Sequence, residues 1–230
     1  MAPFVVAIDG PAASGKGTLA RRLAERFGLA HLDTGRLYRA TALLVLEAGG
    51  DPAAAGTAAA AARRVDPRSL ADPALASEAV ARAASIVAAI PAVREALLAK
   101  QRDFAVRPPP PAGGAVLDGR DIGTAVCPDA AVKLYVTANP EARAERRLKE
   151  LRQRGAPAIY GDVLQDMKER DARDSSRRVA PLAAAPDAVI IDTTRLDAEQ
   201  VFELVADVIA CALAAHRQPL GHGGGPPAPG

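Results

Sequence analysis

The sequence predicts an α/β fold: a parallel five-stranded sheet with helices on both faces, interrupted by helical excursions at roughly residues 36–110 and 147–180. Three observations predict it. Short apolar runs recur along the 230 residues at 4–9, 29–32, 115–117, 132–136 and 189–191. Segments with apolar residues at helical spacing separate them, and such alternation makes a parallel sheet covered on both sides. The first run also passes through a glycine-rich turn directly into a helical pattern.

That turn is Gly10-Pro11-Ala12-Ala13-Ser14-Gly15-Lys16-Gly17-Thr18. It follows Phe4-Val5-Val6-Ala7-Ile8-Asp9 and precedes Leu19, Ala20, Leu23, Ala24 and Phe27, spaced as one helix face. A strand, a G-x-x-x-x-G-K loop and a helix form a phosphate site of the P-loop NTPase type. The glycines let the backbone wrap an anion with several N–H groups pointing inward, and the helix N-terminus adds positive potential. Lys16 then reaches the β- and γ-phosphates. Gly17 stands where most such loops carry a serine or threonine for magnesium, which leaves Thr18 as the nearest hydroxyl for that role. The G-K-G-T ending resembles the nucleoside monophosphate kinases.

The remaining elements follow in order. Gly28 is placed to close the first helix in a left-handed conformation, and Leu29–Leu32 is a short strand leading into Asp33-Thr34-Gly35. His31 reads as a packed or solvated strand residue rather than a catalyst. A helix from Arg36 carries Leu37, Tyr38, Ala40, Thr41, Leu44 and Val45, and stops at Gly49-Gly50. Asp51–Asp72 is Ala-rich, a small helix and loops. A helix from about Ser77 is interrupted by Pro91; Val93, Leu97 and Leu98 then continue the pattern, with Arg94 off their stripe. Pro108–Gly114 cannot continue a helix and returns the chain to the sheet. Ala115-Val116-Leu117 ends at Asp118-Gly119-Arg120-Asp121, and Val132–Val136 leads to Asn139-Pro140, a favoured helix start. Between Arg146 and Arg178 stand ten basic and six acidic residues. Val189-Ile190-Ile191 is the last strand, and Asp197 with Gln200 forms a capping box for the final helix. Pro219–Gly230 is a Gly/Pro-rich tail, expected to be disordered.

The totals exclude several classes. A net charge of +2 lacks a nucleic-acid binder's surplus, so any basic cluster is local. Cys127 and Cys211 have no motif spacing and fit a reducing compartment. No run approaches the roughly 20 apolar residues of a membrane span, and the first strand begins at once, without a signal peptide. A cytoplasmic monomer that binds neither membrane nor nucleic acid is expected.

The loop fixes a phosphoryl donor; arginines suggest the acceptor. Arg39, Arg94, Arg120, Arg170 and Arg177 stand at strand ends and lobe edges, and guanidinium forks bind phosphate oxygens bidentately. Arg120 lies between two aspartates at a buried strand end, where three charges call for a ligand or partner.

From residue 4 to 213 the chain resembles the bacterial cytidylate kinases. The resemblance rests on I-D-G-P-A-A-S-G-K-G-T, L-D-T-G-R-L-Y-R, A-A-S-I-V-A-A-I-P-A-V-R-E-A-L-L, L-D-G-R-D-I-G-T and K-E-R-D-A-R-D-S-S-R-R-V-A-P-L, in that order. Arg63–Glu78 is too short for the β insert the family often carries. The resemblance implies transfer of the γ-phosphoryl of ATP, with Mg2+, to CMP or dCMP. It implies ATP contacts from Gly10–Thr18 and Arg146. Asp121 would accept from the cytosine amino group, with Arg94 and Thr34 donating to the ring. Ser85, Arg170 and Asp174 match sugar-binding positions, and Arg39, Arg120 and Arg177 match those on the acceptor phosphate. Tyr38 and Gly119 line the acceptor pocket, and Lys16, Arg120, Asp121 and Arg177 carry the catalysis. The implied organisation is a core of 1–35, 111–146 and 181–215, an acceptor lobe of 36–110, a lid of 147–180 and a tail of 216–230. The lid arginines, Arg177 among them, are expected to be exposed when no ligand is bound.

Overall fold

Every strand of the sheet runs parallel, in the spatial order Ala30–Asp33, Gly114–Gly119, Phe4–Asp9, Val132–Thr137 and Val189–Asp192. The structure, a computed structural model, describes residues 3–66 and 70–217. Its strands are β1 (Phe4–Asp9), β2 (Ala30–Asp33), β3 (Gly114–Gly119), β4 (Val132–Thr137) and β5 (Val189–Asp192). The helices are α1 (Lys16–Phe27), α2 (Thr34–Glu47), α3 (Ala55–Arg64), α4 (Glu78–Val87) and α5 (Pro91–Val106), then α6 (Pro140–Gln153), α7 (Tyr160–Ser175) and α8 (Ala198–Arg217). The α/β class and the helices on both faces are as the sequence predicts. The expected tail of 216–230 starts too early, since His216 and Arg217 are the last residues of α8, and the rest of it lies outside the described residues.

Local chemistry places the boundaries. Gly28 closes α1 at φ 65, the Ser77 and Asn139 side chains accept from Val80 and Ala142 N–H groups, and Pro91 opens α5. Asp197 and Gln200 form the capping box reciprocally, at 3.0 and 2.9 Å. Two departures matter for the site. α2 begins at Thr34 rather than Arg36, which seats Thr34 at the sheet edge. A π-helical turn, Ile122–Val126, follows the Asp118–Asp121 stretch and was not legible in the sequence. Among the described residues between Arg63 and Glu78 no strand forms, and a 3-10 turn spans Pro73–Ala76.

Two apolar layers sandwich the sheet. Val6, Ile8, Val116 and Leu134 pack with α1 and α8 through Leu19, Leu23, Val205 and Ile209. Ala7, Leu32, Ala115 and Leu117 face α2–α5 through Leu37, Val45, Val87, Val93 and Leu97. A smaller cluster of Ala144, Leu151, Val163 and Met167 joins α6 to α7. This arrangement leaves the carboxyl ends of the strands, where ligands bind in open α/β sheets, ringed by α2, α4, α6 and α7. Among the described residues no helix is long and apolar enough to cross a membrane.

Candidate active site

The phosphate loop is held in shape by backbone conformations few residues adopt. Gly10 has φ 150, and a Cβ there would lie 2.0 Å from the Val136 carbonyl oxygen, so only glycine fits. Gly15 has φ 91 and Ala13 φ 56. Lys16 is buried and donates to the Pro11 carbonyl at 3.1 Å. Burial pushes its ammonium down to about 7, with Arg120 adding to the shift. The buried Ser14 hydroxyl has no partner among the described residues, and the Ser14 carbonyl accepts from Thr193 Oγ1 at 3.1 Å. Thr18 is exposed on the first turn of α1.

Beside the loop stand the ends of β1, β2 and β3. Asp118 lies below Gly17, whose notional Cβ would be 3.7 Å from Asp118 Oδ2; Asp118 Oδ1 is 2.8 Å from His31 Nε2. His31 thus fixes a carboxylate, in keeping with a packed rather than catalytic role. Burial raises the Asp33 carboxyl, and neighbouring Asp118 raises it further. Asp9, the acid ending β1, accepts from the Ile122 and Gly123 N–H groups at 2.7 Å each. Burial pushes Asp9 up to about 6 against those two bonds. It anchors the π-helical turn and, with it, Asp121.

The expected acceptor residues form two connected groups. Arg94, which the apolar stripe of α5 left outside, is buried because it bonds Asp121 and donates to the Ala88 carbonyl at 3.2 Å. Its guanidinium lies 5.6 Å from the Tyr38 ring centroid, and Tyr38 is packed in the α2–α5 layer with its hydroxyl on Gln101. The second group centres on Asp174. Arg120 Nε donates to it at 3.0 Å, and Arg177 bonds its other oxygen. The Arg177 side chain is 5% exposed, not the free surface charge expected. Its partner Asp174, three residues earlier on α7, draws it inward. Burial opposes ionisation of Asp174, but Arg120, Arg177 and Arg170 outweigh it and hold the carboxyl below its ordinary range.

Other expected residues take less simple places. Thr34 Oγ1 donates its single proton to the Asp118 carbonyl at 2.8 Å, so toward a ligand it presents an acceptor rather than the expected donor. Gly119 is required beside it, since a Cβ would meet Thr34 Oγ1 at 2.6 Å. Ser85 Oγ accepts from Arg173 Nε at 3.3 Å, and Arg39 donates to the Leu75 carbonyl at 2.7 Å. Arg146 bonds Thr193 and reaches the Leu196 carbonyl, which ties it to the loop after β5.

Positive charge accumulates here beyond what the carboxylates neutralise. Burial pushes Arg170 down to about 9, and Arg120, Arg39 and Arg147 repel it further; its Nε has no partner among the described residues. Arg39 and Arg177 are likewise lowered, first by burial. Cations that repel one another in a half-buried cleft beside a phosphate loop are a site for polyanions.

The cytidylate kinase family model matches residues 6–211. The chain belongs to the cytidylate kinase family. The cytidylate kinase of Rhodospirillum rubrum is 59% identical over 90% of this chain and 97% of that protein. That of Paramagnetospirillum magneticum is 58% identical over 89% and 97%. A solved structure of an uncharacterized protein from Eubacterium ventriosum superposes with a TM-score of 0.51 at 13% identity, over 90% of this chain and 98% of that one, and shows the fold alone.

Sequence reasoning gave no role to Asp9, Asp33, Asp118, Arg143 or Arg173. Asp9 and Asp118 carried a signal, a lone acid or a charge cluster at the end of an apolar strand. Arg143 carried none; it looked like any charged helix residue, yet its side chain is 4% exposed.

Proposed function

We infer that the protein transfers the γ-phosphoryl group of ATP to CMP or dCMP, giving ADP and CDP or dCDP. The observation that carries the reading is the cation cluster of Lys16, Arg39, Arg120, Arg170 and Arg177 between a phosphate loop and the buried Arg94–Asp121 pair. The Gly10–Thr18 loop holds the donor phosphates, and Arg146 borders the donor side. Cytosine offers one amino donor and two ring acceptors; Asp121 and the Thr34 oxygen accept from the amino group, while Arg94 donates to the ring. Arg39, Arg120 and Arg177 serve the acceptor phosphate, and Ser85, Arg170 and Asp174 the sugar, with Tyr38 and Gly119 shaping the pocket.

The acceptor phosphate is already an anionic nucleophile, so no general base is needed. An acceptor oxygen bonds to the γ-phosphorus as the bridge to the β-phosphate breaks, and the leaving electron pair stays on ADP. The protein's part is alignment and neutralisation of charge. Magnesium accompanies ATP as a counter-charge on its phosphates. Among the described residues no cluster of three or more acidic or histidine ligands is present. That suits an ion held chiefly by water and phosphate oxygens with one or two carboxylates, here Asp33 and Asp118, and the Thr18 hydroxyl. The segment 147–180 is a lid that excludes water from the transferring group, 36–110 is the acceptor lobe, and the free Cys127 and Cys211 fit a cytoplasmic location.

Two measurements test this. In an acceptor screen with ATP, CMP and dCMP should be phosphorylated well, UMP weakly, and AMP and GMP barely. Uracil lacks the amino donor, and leaving the Asp121 oxygen that Arg94 does not bond without a partner costs about 1–3 kcal/mol, roughly ten- to more than a hundredfold. Equal kcat/KM for AMP and CMP would sink the assignment. Hydrogen exchange across 150–178 should slow when CMP and a non-hydrolysable ATP analogue bind together; protection confined to Gly10–Thr18 would remove the lid.

A further inference from the structure

Arg143 occupies a position the reaction scheme does not use. Its Nε donates to the Ala138 carbonyl at 3.0 Å, one Nη to the Ala12 carbonyl at 3.3 Å, and the other to Asp171 Oδ2 at 2.6 Å. One buried guanidinium therefore joins the β4–α6 junction, the phosphate loop and α7. A second contact joins the same parts independently: Ala13 packs against the α6–α7 cluster of Ala144, Leu151, Val163 and Met167.

Each end of this link matters for binding. The C=O and N–H of a trans peptide point in opposite directions. A guanidinium that holds the Ala12 carbonyl outward therefore aims the Ala13 N–H toward the interior of the loop, where phosphate oxygens would lie. At the other end, Asp171 follows Arg170 directly and precedes Asp174 by one helical turn, so it shares a face of α7 with Asp174. A shift of Asp171 moves Arg170 and Asp174 with it, because the three ride on one rigid helix, and Arg177 is tied to that helix through its bond to Asp174.

We propose that Arg143 is a positioning residue that couples occupancy of the phosphate loop to the placement of α7, so that ATP and the nucleoside monophosphate bind cooperatively. This rests on the function proposed above and adds to it a route between the two subsites. Coupling of this kind is reciprocal: whatever factor ATP lends to acceptor affinity, the acceptor lends to ATP. Arginine suits the task because its planar fork serves three acceptors at fixed angles, which a lysine ammonium on a flexible stem does not.

The experiment is calorimetric titration of CMP into the full chain, with and without a saturating non-hydrolysable ATP analogue. The wild type should bind CMP about tenfold more tightly with the analogue present, within the usual range for coupled sites. Asp171→Ala cuts the link at α7 without touching either proposed ligand. It should reduce the ratio below about twofold while CMP affinity without the analogue stays within about threefold of wild type. Asp171→Asn keeps an acceptor oxygen and should restore most of the ratio, a rescue that a merely structural defect would not show. Arg143→Lys should behave like Asp171→Ala; where it fails to fold, the Asp171 pair still decides. An undiminished ratio in folded Asp171→Ala, or no coupling in the wild type although both ligands bind, overturns the link alone. Failure of CMP to bind the wild type under any condition overturns the acceptor assignment and the link with it.

Discussion

Replacing Lys16 with methionine is expected to lower kcat by about 10²–10³-fold and, at neutral pH, to raise the thermal midpoint of the ligand-free protein. The first effect follows from position. Lys16 is the only side-chain cation in the Gly10–Thr18 loop, and a preorganised donor aimed at developing charge acts mainly on the transition state, so CMP affinity changes far less. The second follows from burial, which lowers the ammonium from its ordinary 10.5 to about 7. Between those values the unfolded chain holds a proton that the folded chain does not, so stability rises with pH across that window. Below about 7 the folded protein carries the full cost of a buried charge. Methionine keeps most of the side-chain volume and removes that cost. The excess in midpoint of Lys16→Met over wild type should therefore be largest at pH 6 to 7 and shrink as the pH approaches 10, where the wild-type lysine folds neutral. Scanning calorimetry at three pH values with parallel turnover assays checks both halves. A midpoint below wild type at pH 7, with kcat near normal, would show that the loop neither strains Lys16 nor uses it.

That trade of stability for charge explains which parts of the molecule were legible in the sequence. Elements whose cause is local could be read directly. Val5–Ile8 and Ala115–Leu117 are short apolar runs because their strands are buried on both faces. The Asp197–Gln200 box and the Asn139-Pro140 start satisfy backbone groups within their own first turn. The phosphate loop was legible for the same reason, since its glycines answer a constraint within the loop.

The parts that escaped depend on partners far away in the chain. Asp9 holds the turn at Ile122 and Gly123, which lie 113 and 114 residues on. Nothing around Ile122–Val126 announces a π-helical turn, because the two N–H groups that organise it are satisfied by that distant carboxylate. Arg94 stood off the apolar stripe of its helix, and only the resemblance gave it a place in the acceptor site. It is buried because Asp121, 27 residues away, meets it, and helical spacing on α5 carries no information about that meeting. Arg177 was expected to be exposed on a ligand-free lid, whereas Asp174 draws it into the cleft. Thr34 illustrates a finer limit. The sequence places a hydroxyl at the strand end but not its proton, and the Asp118 carbonyl decides that it faces a ligand as an acceptor.

The gathering of arginines around one carboxylate makes Asp174→Ala the substitution with the largest expected loss of stability. Asp174 is 1% exposed and sits between side chains of Arg120 and Arg177 that are 15% and 5% exposed. Removing one partner of a buried ionic group costs about 3–5 kcal/mol, because the remaining charges stay desolvated without compensation. In a chain of this size that corresponds to a midpoint lower by roughly 6–20 °C. The pH dependence has a definite sign. The folded carboxyl lies below its ordinary value, so its contribution is complete above the unfolded pKa of about 3.9. It is lost only as the pH falls through the folded value. The gap between wild type and Asp174→Ala should stay constant from about pH 5 to 8 and close only in stronger acid. Inorganic phosphate should raise the midpoint of the variant more than that of the wild type, since two unpaired guanidinium groups offer the anion a tighter site. A midpoint shift under about 2 °C, or one that phosphate leaves untouched, would mean that Arg120 and Arg177 find other partners when Asp174 is gone, and that the cleft is less tightly charged than its geometry indicates.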